Sequence, residues 1–253
     1  NWEIIFWDNK STDNSASILK SYEDDRIKYF YSNSHSTLYG ARNLAYEKSS
    51  GDFICFLDTD DYYLDSFFEK QLKLFNDSTI GFACANHFYK DENKNKFWIR
   101  FKKKQEEGNV LSNLLLNYNV SLSTIFIKRT SLSNLEFIFD NKYTYFGDFD
   151  LIIRLAANFK MARTHEAISV YRLHEKNLSI QNYSTQIDEL IDWQKKIQKI
   201  KKIKNDKNFY NINNLIYYKK IILALQEKKF VHPVLLLSKV PWSIRKLRFI
   251  LLI

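Results

Sequence analysis

The sequence is poor in the residues that break or cross-link a chain. Two prolines and five glycines in 253 residues exclude collagen-like, elastic or proline-rich linker proteins, which need roughly a quarter of their residues to be of these kinds. Two cysteines, Cys55 and Cys84, cannot build a disulfide framework. Both stand in apolar runs and read as buried reduced thiols rather than redox groups or metal ligands. No uninterrupted apolar run approaches the roughly 18–20 residues of a membrane-spanning helix. What is present is ordinary globular composition, 45% hydrophobic and 26% charged, which argues against disorder. The length suits one generous domain, alone or with a helical appendage.

Positive charge is unevenly placed. The formal net charge is +9, yet residues 184–253 hold 15 basic and 5 acidic side chains, a net of +10, which leaves the first 183 residues almost neutral. A uniformly basic nucleic-acid binder would not divide its charge in this way.

The first part of the chain alternates in type. It begins directly on strand composition, Glu3–Trp7, without an initiator Met. Ser11-Thr12-Asp13-Asn14 offers N-caps for a helix over Ala16–Tyr22. Ile27–Tyr31 reads as a strand and Leu38–Ser49 as a helix. Asp52–Leu57 is a nearly all-apolar run that suits a strand covered on both faces in a parallel sheet. An amphipathic helix follows over Tyr63–Phe75. This alternation predicts an α/β doubly wound sheet. Ile80–Phe88 and Lys96–Lys102 predict a hairpin across the polar turn Asp91–Asn95. Val110–Tyr118 reads as helical, Leu122–Ile127 as extended, Asp148–Asn158 as helical and Ala167–Leu173 as a strand. From Thr185 the pattern is helix after helix, with Ile187, Leu190, Ile191, Ile197 and Ile200 beside a Lys-rich face. A boundary near residue 183 divides a domain of residues 1–183 from a basic helical extension of residues 184–253.

Five constellations could carry chemistry. In Asp58-Thr59-Asp60-Asp61 an apolar strand ends in three carboxylates within four residues. Ligands of open α/β sheets bind at the carboxyl ends of strands, and crowded carboxylates repel unless a cation lies between them. Oxygen donors suit Mg²⁺ or Mn²⁺, shared with a diphosphate. Helix capping explains one of these aspartates but not three. Asp8 and Asn9, also at a strand's carboxyl end, could hydrogen-bond a base or ribose, or could simply build a capped loop. Arg42, near a helix start in Gly40-Ala41-Arg42-Asn43, could meet an anionic nucleotide; a solvated salt bridge is the alternative. Asp148 and Asp150 flank an aromatic at the mouth of a helix, where one could be a general base and the other a helix N-terminal charge. His174 follows a strand in Tyr171-Arg172-Leu173-His174, where a lone histidine is more often structural than a ligand or acid–base group.

The order and spacing of these pieces resemble the family 2 glycosyltransferases, inverting enzymes that use sugar nucleotides and have the GT-A fold. Ile4–Asp13 resembles the family's strand and acidic Ser-Thr-Asp turn. Gly40–Ala45 with Gly51–Ile54 resembles the helix and strand that lead to its acidic metal motif, matched by Asp58-Thr59-Asp60. Gly147–Ala156 is similar to the segment bearing the catalytic carboxylate, and Tyr171–Ser179 to the strand and loop after it. The resemblance covers about residues 1–180.

The resemblance implies a mixed, doubly wound sheet flanked by helices, with the C-terminal helices as an extension. It implies transfer of a sugar from a nucleoside-diphosphate donor, most often UDP, to a hydroxyl of a glycan or lipid-linked saccharide. Asp148 would be the base. Asp8, Asn9, Arg42 and Asp58 would face the nucleotide sugar. Asp60, with Asp58 and His174, would hold Mg²⁺ or Mn²⁺. The resemblance implies a cytoplasmic protein, and the basic C-terminal helices, including Trp242, Arg245, Lys246 and Arg248, have a composition that can lie peripherally on the inner face of the cytoplasmic membrane. A solvated lysine face packed on the catalytic domain is the other reading of that tail. No nucleic-acid partner is expected. Departures are the absent first strand of the family, Asn9 in place of an acidic residue, and Gly147 where an acidic residue commonly precedes the base. They keep open a non-catalytic relative that binds sugar nucleotides. A nucleic-acid binder using the lysine-rich tail is the rival from another class.

Overall fold

Short strands and helices follow one another as the apolar spacing predicts. The computed structural model describes residues 1–227 and 236–238. In chain order these are β1 (Ile4–Asp8), α1 (Ser15–Lys20), β2 (Ile27–Tyr31), α2 (Leu38–Glu47), β3 (Phe53–Ile54), β4 (Tyr62–Tyr63), α3 (Phe67–Leu72), β5 (Ile80–Asp91), β6 (Lys96–Ile99) and α4 (Leu111–Leu116). Then come β7 (Phe126–Lys128), α5 (Arg129–Leu132), α6 (Gly147–Asn158), β8 (Lys160–Leu173), α7 (Tyr183–Ile197), α8 (Lys201–Lys204) and α9 (Ile212–Gln226).

The sheet is mixed rather than parallel throughout. β1 and β2 form a small parallel pair. The larger sheet runs β3-β7-β5-β8-β4, with β6 also on β5. Within it only the long β5–β8 pairing is parallel; the others are antiparallel. The Glu3 carboxylate accepts from the Ser50 and Gly51 N–H groups, which ties the small sheet to the turn before β3.

Four expectations need correction. The apolar run Asp52–Leu57 forms a ladder only over Phe53–Ile54, antiparallel to β7. Leu57 is 44% exposed, so the run is not covered on both faces. After Ile54 the backbone leaves the ladder to present the acidic residues. The helix predicted over Tyr63–Phe75 starts only at Phe67, because Tyr62 and Tyr63 pair with Val170 and Ser169 of β8. Leu122–Thr124 is a 3₁₀ turn rather than extended chain. The last strand begins at Lys160, not Ala167. At Tyr62–Tyr63 and from Lys160 onward a tertiary pairing overrides local spacing.

One apolar core joins the sheet to the C-terminal helices. Phe82, Cys84 and Ile127 from the sheet, with Ile125 just before β7, share it with Ile152 and Leu155 of α6, Leu190 and Trp193 of α7, Ile203 of α8 and Ile216 of α9. The stripe Ile187, Leu190 and Ile197 is buried there, while Lys195, Lys199, Lys201 and Lys202 face solvent. Trp242, Arg245, Lys246, Arg248 and the run 249–253 lie outside the described residues. Both thiols are free; Cys84 is buried and Cys55 half-buried.

α6 is buried along nearly its whole length, and its polar residues are correspondingly paired. The Asp150 carboxylate accepts from Arg154 at 2.8 Å and from the Trp193 indole at 3.0 Å. Arg154 also donates to the Phe137 and Ile138 carbonyls. Removing one partner of such a pair leaves a buried charge uncompensated, at a cost of about 3–5 kcal/mol. Asp150→Ala is therefore expected to destabilise the fold by about that amount in urea unfolding; a loss below about 1 kcal/mol would show that the pair does not anchor α6.

Candidate active site

The geometry of the site begins with the pairing of β4 and β8. Because Tyr62 and Tyr63 lie against Val170 and Ser169, the loop just before β4 meets the chain just after β8. The Arg172 N–H donates to Asp61 Oδ1 at 3.0 Å, and the Arg172 guanidinium donates to the Asp60 carbonyl. Two residues further on, His174 Nε2 lies 2.8 Å from Asp60 Oδ2. The Lys176 N–H donates to His174 Nδ1, so the ring proton belongs on Nε2, facing Asp60. The Asn177 amide oxygen accepts from the His174 N–H and fixes that turn. An antiparallel contact of two residues thus brings together groups 114 positions apart.

From the other side, α2 contributes Tyr39 and Arg42, one turn apart on the same face. Thr37 caps the helix by accepting from the Gly40 N–H. Thr37 and Asn43 tie α2 to the segment before α6 through the Asn141 and Phe139 carbonyls. The Arg42 guanidinium pairs with the Asp58 carboxylate and lies 5.1 Å from the Tyr39 ring centroid. The Tyr39 hydroxyl donates to Asp148 Oδ1 at 3.0 Å. Asp58, Asp60, Asp61, His174, Arg42 and Asp148 therefore surround one region.

The charges in this region perturb one another. Burial pushes the Asp148 carboxyl up; Arg42, the Phe149 N–H and the Tyr39 hydroxyl oppose it without cancelling it, and Asp58 adds repulsion. Arg42 is also desolvated, but Asp58 keeps its guanidinium firmly charged. Asp61 is pushed up to about 7, by burial first and then by Asp60 and Asp58, against the Arg172 N–H.

Oxygen donors of Asp58, Asp60 and Asp61 lie within 4.8 Å of one another. Asp61 Oδ2 is buried and has no hydrogen-bond partner among the described residues. A cluster of carboxylates that includes an orphaned buried oxygen fits a hard divalent cation such as Mg²⁺ or Mn²⁺.

Asp8 and Asn9 are placed differently. Asp8 is 2% exposed. Its carboxylate accepts from the Tyr29 hydroxyl at 2.6 Å and the Ser11 N–H at 2.7 Å. Burial opposes ionisation, yet these donors hold its carboxyl below the usual range. The Asn9 amide bonds the backbone and hydroxyl of Ser36. Asp8 thus ties the turn after β1 to β2, and Asn9 ties it to the segment before α2. Asp150 takes no place beside Asp148; it belongs to the Arg154–Trp193 network. Sequence reasoning missed Tyr39, whose place on the apolar side of α2 hides its hydroxyl, and it assigned no role to Arg172. It also missed Glu189, whose carboxylate accepts from the Thr144, Tyr145 and Phe146 N–H groups. Its position in a helix of ordinary pattern carries no sign of that contact.

A mixed sheet with helices around it and an acidic cluster at its strand ends is the arrangement of GT-A glycosyltransferases. Among solved structures, 85% of the chain superposes on *Staphylococcus aureus* TarS 1–349 in complex with UDP-GlcNAc, with a TM-score of 0.60 at 15% identity. This chain covers 61% of that chain, under two thirds of its length. The *Pyrobaculum calidifontis* mannosyltransferase PcManGT, in complex with GDP-Man and Mn²⁺, matches 98% of this chain and 69% of its own, with a TM-score of 0.62 at 12% identity. In sequence, the *Escherichia coli* UDP-Glc:alpha-D-GlcNAc-diphosphoundecaprenol beta-1,3-glucosyltransferase WfgD is 30% identical over 179 residues, which are 71% of this chain and 68% of WfgD. Residues 1–135 match the family described as Glycosyl transferase family 2. The chain belongs to that family and is a glycosyltransferase.

The raised Asp61 carboxyl gives the apo protein a pH dependence of known sign. Between the ordinary carboxylate value of about 4 and the folded value of about 7, the folded state holds a proton that the unfolded chain has released. Stability therefore falls as pH rises through that window. Melting temperatures in excess chelator are expected to decline from pH 4.5 to 7.5, and Asp61→Asn is expected to flatten the decline. A wild-type profile already flat would show that Asp61 does not titrate in this range.

Proposed function

We propose that this protein is an inverting glycosyltransferase that moves a sugar from a UDP-sugar donor to a lipid-linked saccharide in cell-envelope polysaccharide assembly. The observation that carries the reading is the convergence of Asp58 and Asp60 with Asp148 around Arg42. It brings an acidic cation site and a candidate base to one crevice. WfgD uses UDP-Glc and an acceptor on diphosphoundecaprenol, which supports UDP-glucose as the donor to try first.

Asp58, Asp60 and Asp61 would hold the divalent ion, with His174 hydrogen-bonded to Asp60 and orienting it. When bound, that ion supplies positive charge to offset the departing diphosphate. Arg42, held by Asp58, adds a fixed cation at the donor sugar. Asp8 and Asn9 act through the turn they tie down, which forms the nucleotide end of the crevice. The acceptor hydroxyl approaches on the Asp148 side. An Asp148 oxygen takes its proton as the acceptor oxygen bonds to the anomeric carbon and the bond to the diphosphate breaks. One displacement from the opposite face inverts that carbon. The elevated Asp148 carboxyl suits a base, because its basicity lies nearer the working pH.

No helix among the described residues is long and apolar enough to cross a membrane. A lipid-linked acceptor like that of WfgD would be met at the inner face of the cytoplasmic membrane, which the basic C-terminal residues would approach peripherally.

Two measurements test the assignment. A positioned base is worth about 10²–10⁴ in rate, so Asp148→Asn should lower kcat for UDP-glucose transfer to a GlcNAc-diphosphate-lipid by at least about 10² while the Kd for UDP stays within about threefold. Wild-type turnover in that variant, or UDP binding with neither transfer nor donor hydrolysis in the wild type, overturns the reading. Excess chelator should weaken UDP binding measured by calorimetry; unchanged affinity removes the cation from the site.

A further inference from the structure

The residue before Asp148 is a glycine, and the structure accounts for it. A Cβ on Gly147 would lie 2.6–2.7 Å from three carbons of the Tyr39 ring. Cβ contacts of that length essentially do not occur, so the ring occupies the volume that any side chain at 147 would need. The same ring packs on Phe139, with centroids 5.0 Å apart, and carries Arg42 against it. Tyr39 is almost completely buried. With its ring confined by Gly147, Phe139 and Arg42, its hydroxyl has little freedom and rests on Asp148 Oδ1.

We infer that Tyr39 is the positioning residue of the base: locked in place by the absent side chain of Gly147, it holds Oδ1 of Asp148 by a hydrogen bond and leaves Oδ2 to take the acceptor's proton. This inference rests on the reading of Asp148 as the base. A carboxylate at the first turn of a helix can rotate about its Cβ–Cγ bond, and a single fixed donor stops that rotation. Tyrosine can be this donor without giving up its proton, because burial lifts its hydroxyl well above the usual range. It therefore stabilises the charged form of Asp148 without neutralising it. The acidic residue that commonly precedes the base in the resembling family is thus replaced here by a neutral hydroxyl supplied from α2.

The other groups that face Asp148 have different effects. Arg42, also on α2, favours its ionisation, and Asp58, from the loop after β3, disfavours it. Tyr118, from the segment after α4, brings within electrostatic reach a buried hydroxyl that has no hydrogen-bond partner among the described residues. Tyr39 alone is hydrogen-bonded to the Asp148 carboxylate through a side chain among the described residues.

Tyr39→Phe deletes the hydroxyl and keeps the ring against Gly147, so the packing survives. Loss of a donor to a carboxylate raises its pKa. The acid limb of the kcat–pH profile should therefore move up by about one pH unit and kcat at its optimum fall about tenfold. The Kd for UDP and the KM for UDP-glucose should stay within about twofold. The ¹³C NMR titration of the Asp148 carboxyl, assigned by its loss in Asp148→Asn, should move in the same direction without any substrate present. Gly147→Ala, which displaces the ring, should give the same limb shift, and adding Tyr39→Phe to it should cause no further loss. An acid limb and carboxyl titration identical to wild type in Tyr39→Phe overturn the inference and reduce Tyr39 to packing. Wild-type turnover in Asp148→Asn overturns instead the assignment of the base.

Discussion

Several carboxylates in one partly buried crevice repel one another, and Arg42 is the fixed charge that makes the arrangement tolerable. Its guanidinium pairs with Asp58, lies on the Tyr39 ring and opposes the burial penalty on Asp148. A planar, permanently charged group does this better than an ammonium, because it can pair with a carboxylate at its edge while its face rests on an aromatic ring. The rest of the site is arranged around it. Asp58 is oriented by it, Tyr39 is covered by it, and the remaining acidic groups, Asp60 and Asp61, turn the other way, toward Arg172 and His174.

The carboxylate proposed as the base is held from two directions. α2 reaches it through Tyr39. The C-terminal helices reach it less directly, through the segment that carries it. Glu189 of α7 gathers three successive backbone N–H groups just before α6. Trp193 donates to Asp150 one turn further on, and the Tyr143 hydroxyl donates to Asp192. Residues beyond 183 thus do more than present lysines to solvent: one face of α7 completes the core and sets the position of α6. On the other side of the helix Lys195 is exposed, while Lys196 pairs with Asp140 and Asp192.

The fold was legible in large part because its elements are amphipathic and short. Ile27–Tyr31 stands in the structure as read, and β1, α2, α6 and the β5–β6 hairpin differ only at their ends. The misreadings at Asp52–Leu57 and Tyr63–Phe75 have one cause. Both flank the acidic loop, where the backbone abandons regular structure to present Asp58–Asp61 and then returns for a two-residue ladder with β8. Such a ladder is too short to leave a period in the sequence.

The sequence by itself determined the chemistry available: three aspartates at the end of an apolar strand, an aspartate at the mouth of a helix, an arginine near the start of another, and a histidine after a strand. These are local facts, set by residue type and neighbours. The tertiary structure decided which of them meet and in what state. It put Asp148 beside Tyr39 and Arg42 but gave Asp150 to Arg154 and Trp193, although the two aspartates are two residues apart. It also buried Asp8 against Tyr29 and Ser11 and tied Asn9 to Ser36. Residues two apart on a helix point about 200° apart, on nearly opposite faces, and the packing around each face decides which carboxylate meets the crevice and which the core.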